Sequence, residues 1–142
     1  MKKFIKCLAD FLFGLIIVIV LSIGFYVLIY GMDLWGLPKL DDVQSVSISC
    51  LDIASEVKEI TSNEEIERAL KVTGFLKYKL FEKPSHKERP IIVITYHLED
   101  GTDETISANN TTVWWKDKSY VIKEKDIFVN IVKGFFFKKY AG

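Results

Sequence analysis

The chain has 142 residues, with 19 Lys and Arg balanced by 19 Asp and Glu, so it lacks the basic footprint expected of a nucleic-acid binder. Its two cysteines provide no disulfide framework. Once an apolar N-terminal segment is set aside, about 105 residues remain, enough for one core but not for two domains.

Residues 1–10 carry Lys2, Lys3 and Lys6, and Phe11 to Tyr30 then run for twenty positions without a charge. At about 1.5 Å per residue that run spans roughly 30 Å, the thickness of a bilayer's hydrocarbon core, which predicts a transmembrane helix over 11–31. A cleaved secretory signal is the rival reading. Its apolar stretch is usually only about 7–15 residues long and ends at small residues of the A-x-A kind, whereas this run leads into Gly31-Met-Asp-Leu-Trp35. The lysines before the helix outnumber those close behind it, which predicts a cytoplasmic N-terminus and an external C-terminal domain at the cytoplasmic membrane. Tyr26, Tyr30 and Trp35 stand where an outer aromatic belt is expected. Setting aside Lys2, Lys3, Lys6 and Asp10 leaves 16 basic against 18 acidic residues, a mildly acidic domain.

Residues 32–42 contain Gly36, Pro38 and paired aspartates and read as a tether, with the domain proper over 43–142. Val46, Ile48 and Cys50 alternate with Ser45, Ser47 and Ser49, the pattern of a strand with one apolar and one hydroxyl-rich face. A second strand is expected over Glu56–Ile60. Ser62-Asn-Glu-Glu65 is a capping box, followed by Ile66, Ala69, Leu70 and Thr73 at helical spacing. Gly74 is a natural stop, with a resumed helix through Phe75–Phe81 left open. Ile91–Leu98 is a strong strand, turning at Glu99-Asp-Gly-Thr102 into a return strand over Glu104–Ala108. A second hairpin runs from Thr112 to Ile122 through Lys116-Asp-Lys118. The end of the chain has Ile127, Ile131 and Phe135 beside Phe128, Val132 and Phe136, a closing amphipathic helix or, alternatively, a strand. The expected fold class is α+β: one main helix on an antiparallel sheet, behind a single membrane helix.

Glu56-Val-Lys-Glu-Ile-Thr61 before Ser62-Asn-Glu-Glu-Ile66, a long strand ending in Glu99-Asp-Gly101, and the Trp115-Lys-Asp-Lys-Ser-Tyr-Val-Ile122 hairpin carry a family likeness. Over roughly Val43–Glu124 the chain resembles small membrane-tethered or secreted Firmicutes domains of unknown function. The resemblance implies an accessory module beside sensor or cell-wall functions, and transfers no site residue. The Phe135-Phe-Phe137 stretch departs from that pattern.

No motif identifies an enzyme or a cofactor. His86 and His97 are the only histidines and lack metal-ligand spacing. Cys50 or a serine beside a histidine has no nucleophile-elbow signature. The carboxylates at Glu64, Glu65, Glu67 and at Glu99, Asp100, Asp103, Glu104 suit a helix start and a solvated turn. The Asn109-Asn-Thr-Thr112 acceptor patterns are read as chance, and no small-molecule substrate is indicated.

Two surfaces are candidates. Trp114, Trp115 and Tyr120, with Phe135 and Phe136, form a candidate partner contact, because Trp and Tyr dominate binding hot spots. Lys77, Lys79, Lys83, Lys87 and Arg89 form a candidate contact to an anionic surface. The expected function is a non-enzymatic, membrane-anchored accessory module that binds a protein at the cell envelope. Tethered immunity against a toxin is one alternative, and an envelope enzyme using His86 or His97 is another.

Overall fold

The computed structural model describes residues 1–53 and 57–137. Glu56, at the start of the expected second strand, and the tail from Lys138 onward lie outside the described residues. The fold is α+β, an N-terminal apolar helix followed by an eight-stranded antiparallel sheet with two helices on one face.

Helix α1 covers Lys2–Tyr30, so the helical run begins well before the apolar stretch. It is long and apolar enough to cross a membrane by length and composition, and none of its residues is buried. Gly31 ends it. The Gly31 N–H donates to the Val27 carbonyl at 2.8 Å, and φ is +79°, a conformation that favours glycine. A Cβ there would lie 3.0 Å from the Tyr78 carbonyl oxygen, so the junction with the domain has no room for a side chain.

The strands are β1 (Met32–Asp33), β2 (Val43–Cys50), β3 (Val57–Ile60), β4 (Lys77–Lys79), β5 (Ile92–Leu98), β6 (Asp103–Ala108), β7 (Thr112–Trp115) and β8 (Lys118–Ile122). Their order in the sheet is β1-β4-β8-β7-β6-β5-β2-β3. Helix α2 (Asn63–Gly74) and helix α3 (Ile127–Phe136) supply the cover, and the C-terminal stretch is a helix rather than the alternative strand. Branched residues alternate to one side of β2 and β5, and Val46, Ile48, Ile92, Ile94 and Tyr96 are fully buried there. The Tyr96 hydroxyl meets Thr73 Oγ1 at 2.5 Å and donates to the Ala69 carbonyl at 3.2 Å, which keeps this polar atom satisfied inside the core.

Three local features differ from the sequence reading. Residues 77–79 form strand β4 instead of resuming the helix, because Tyr78 packs into the core between β1 and β8. At the α2 start the Glu65 N–H does donate to Ser62 Oγ at 3.3 Å, but the Glu65 carboxylate accepts from the Ser62 hydroxyl rather than from its backbone amide. The segment from Met32 to Asp42 is no slack tether. It leaves β1 at one edge and enters β2 six strand spacings away. The segment is a strap that bends at Gly36, where φ is +73°, and closes in a 3-10 turn over Leu40–Asp42. Leu34 is buried, and the Trp35 carbonyl accepts from Trp115 Nε1 at 2.9 Å, which pins the strap to the domain.

Candidate functional site

The helices cover one face of the sheet and leave the other open. Alternation along the strands sets what this open face presents: Ser45, Ser47 and Ser49 from β2, and Val93, Thr95 and His97 from β5. Asp103, Thr105 and Ser107 follow from β6, then Trp114 opposite Ser119. The result is a hydroxyl-rich surface with a half-buried Trp114 in it. The Thr95 and Thr105 hydroxyls meet across strands at 3.1 Å.

One connected polar group stands out on this face. His97 Nε2 lies 2.7 Å from Ser47 Oγ, and His97 Nδ1 lies 2.7 Å from Asp103 Oδ1. Ser47 Oγ also donates to Glu59 Oε1 at 2.7 Å. Proton counting decides how this group works. Ser47 has a single hydroxyl hydrogen, and Glu59 accepts it, so the imidazole N–H is shared between the serine oxygen and Asp103. The spacing resembles a Ser-His-Asp relay, but the Ser47 hydroxyl donates to Glu59 Oε1. Ser47 also sits inside a regular strand between β3 and β5, where backbone amides are spent on the ladder instead of an oxyanion hole. The group is a hydrogen-bonded clamp across four strands. His86 takes no part in it and belongs to the exposed loop between Pro84 and Pro90.

Cys50, the other nucleophile considered, points to the core. Burial, helped by its hydrogen bond to Asp52, pushes the thiol up to about 11, so it stays protonated and inert.

The candidate aromatic contact residues are divided between the two faces of the sheet. Trp114 and Trp115 point to opposite faces, as adjacent strand residues must. Trp115 is 2% exposed, and Lys116 Nζ lies 4.6 Å from the Trp35 ring centroid and 5.5 Å from that of Trp115. Tyr120 pairs with Val113 on the helix side and stacks on Tyr78 with ring centroids 4.3 Å apart. Phe136 is 5% exposed and belongs to the core, whereas Phe135 is 46% exposed under the Arg68 guanidinium. Core burial thus consumes three of the five residues, and of the Trp114–Tyr120 hairpin only Trp114 remains on the open face. Sequence reasoning missed Ser47 and Asp103 as partners of His97, and Glu59 as the partner of Ser47, because strand register brings them together.

The basic stretch is also divided. Lys77 pairs with Asp33 at 2.5 Å and Lys79 with Glu82 at 3.1 Å, while Lys83, Lys87 and Arg89 lie on the exposed loop. That loop is fastened at Glu88. Its carboxylate accepts from the Thr112 hydroxyl, from Thr111 Oγ1 at 2.7 Å and from Asn109 Nδ2 at 3.2 Å. Asn109 itself accepts from the backbone amides of Thr111 and Thr112, so it is a turn-former rather than a glycan acceptor. The two threonine hydroxyls hold the Glu88 carboxyl below its ordinary value of 4.5. A carboxyl lowered in the fold contributes stability that is complete above its unfolded pKa and is lost as pH falls through the folded one. The protection of amides in residues 85–91, after correction for the intrinsic pH dependence of exchange, is therefore expected to fall only below pH 4.5, and Glu88→Gln is expected to flatten that acid limb. Unchanged protection through the acid range would contradict the fastening.

Among the described residues, no group of three or more His, Cys, Asp or Glu is arranged to hold a metal ion. No family model, curated protein or solved structure matches this chain.

Proposed function

We propose that this chain is a membrane-anchored, non-enzymatic accessory module, displayed outside the cytoplasmic membrane, that captures a protein partner on the open face of its sheet. The observation that carries the reading is the half-buried Trp114 on a hydroxyl-rich face, while the remaining hairpin aromatics serve the core. A large amphipathic ring surrounded by short hydroxyls gives a partner one apolar anchor and many adaptable hydrogen bonds. The lysines in the first two turns of α1, ahead of its apolar stretch, support the orientation, and the single Gly31 between α1 and β1 holds the domain close to the bilayer. The test is affinity capture with the tagged full chain from membranes of cells that produce it. Trp114→Ala and Thr105→Arg are expected to lose the captured protein, and Phe135→Ala to retain it. Retention by both open-face variants at wild-type affinity would sink the reading.

The Ser47–His97–Asp103 spacing favours a second reading, an envelope hydrolase with Ser47 as nucleophile. An active-site serine probe of the fluorophosphonate type separates the two. The accessory reading expects no labelling above that of Ser47→Ala, and labelling that disappears in this variant would favour the enzyme.

A further inference from the structure

The loop after β4 carries two apolar side chains in an unusual place. Phe81 is 77% exposed and Leu80 is 49% exposed, although the core lies next to them. They line a cleft together with Val27 and Leu28 from the last turn of α1, and with Lys79, Glu82 and Lys123. Lys123 Nζ reaches the Leu28 carbonyl at 3.4 Å, which ties the cleft to the helix end. Tyr26 and Tyr30 stack in the same turn with ring centroids 4.7 Å apart, the aromatic pair that marks a water–lipid boundary. Leu80 and Phe81 stand beside residues at the level of that boundary.

We propose that the Leu80–Phe81 turn is a second membrane contact, immersed in the lipid surface of the bilayer that α1 crosses, with Lys79, Lys83 and Lys123 at headgroup level. The proposal rests on α1 being a retained membrane helix. Its occupant follows from continuity with the lipid-facing surface of α1, which ends within the same cleft. Only Gly31 separates α1 from β1, so the domain cannot drift away and leave these two side chains in water. Lysines around an apolar tip are the arrangement that favours an interface with anionic lipid, since their stems lie along the apolar layer while their ammonium groups stay with phosphates. The contact fixes the tilt of the sheet against the membrane and hence the direction in which the open face is presented.

The test uses the full chain in vesicles of phosphatidylcholine and phosphatidylglycerol, with an environment-sensitive fluorophore on single cysteines in a Cys7→Ser background. Cys50 is buried and stays unlabelled at neutral pH. Probes are placed by Phe81→Cys, by Thr105→Cys on the open face and by Leu21→Cys within α1. The expected result is that the probe at 81 emits blue-shifted, resists iodide and is quenched by lipids spin-labelled near the headgroup, while the probe at 105 is quenched by iodide. If the probe at 81 is as open to iodide as that at 105 while the probe at 21 is quenched by lipid, the second contact is wrong and the anchor stands. Iodide quenching at 21 would remove the anchor and this inference with it.

Discussion

Trp115→Ala lowers the stability of the domain by about 3–5 kcal/mol, the usual cost of removing a large aromatic from a core. Trp114→Ala, one residue away, costs about 1 kcal/mol, in the range of ordinary substitutions. The contrast follows from the pleat. Trp115 is buried on the helix side and its indole N–H holds the Trp35 carbonyl at 2.9 Å. Losing it empties the core and also releases the strap between β1 and β2, because Lys116 then keeps only one of its two ring contacts. In a domain of this size each kcal/mol moves Tm by about 4–8 °C, so melting of the full chain in detergent resolves the two variants. Protease cutting near Trp35 should rise in Trp115→Ala alone. Equal melting temperatures would mean that the two indoles share one environment.

Charge placed in α1 gives the second large effect, and it is steeply non-linear. Between Phe11 and Tyr30 there are fifteen Phe, Leu, Ile and Val residues. At about −0.3 to −0.6 kcal/mol each they favour insertion by roughly 7 kcal/mol, while one arginine near the helix centre opposes it by about 3. Ile19→Arg alone therefore leaves the chain in the membrane. Arginines at Ile16, Ile19 and Ile23 together exceed the favourable sum and should move the chain into the alkali-extractable fraction. The domain should remain folded there, because α1 contributes no buried residue. The intact mass of the wild-type protein from the same membranes completes the experiment. A retained anchor gives the full chain, and a mass lacking the α1 residues would identify a cleaved signal.

Local chemistry was legible in the sequence wherever a few neighbouring residues decide it. The alternation of Val46, Ile48 and Cys50 with serines, the Ser62 cap and the Gly101 turn all appear as expected. So does the Lys116-Asp117 turn, where both residues take positive φ to match the twist of the hairpin. What the sequence could not display depends on register between distant segments. Lys77-Tyr-Lys79 is too short to announce a strand, and it becomes one because β1 and β8 supply partners on either side. Strap residues such as Leu34 look like linker until Trp115 is placed beneath them. The clamp of Glu59, Ser47, His97 and Asp103 arises because four strands align, and no spacing in the chain encodes that alignment. The candidate aromatics are divided between the two faces for the same reason: Tyr120 is paired with Val113, which turns it away from Trp114.

Photo-crosslinking from the open face in intact membranes tests the central claim most directly. A benzophenone side chain replaces Ser107, beside Trp114, in one full-length chain, and Glu67, on the exposed side of α2, in another. The account predicts one stoichiometric protein adduct from position 107, lost when Trp114→Ala is added, and none from position 67. An adduct formed only from position 67, or one from position 107 that survives Trp114→Ala, would contradict it.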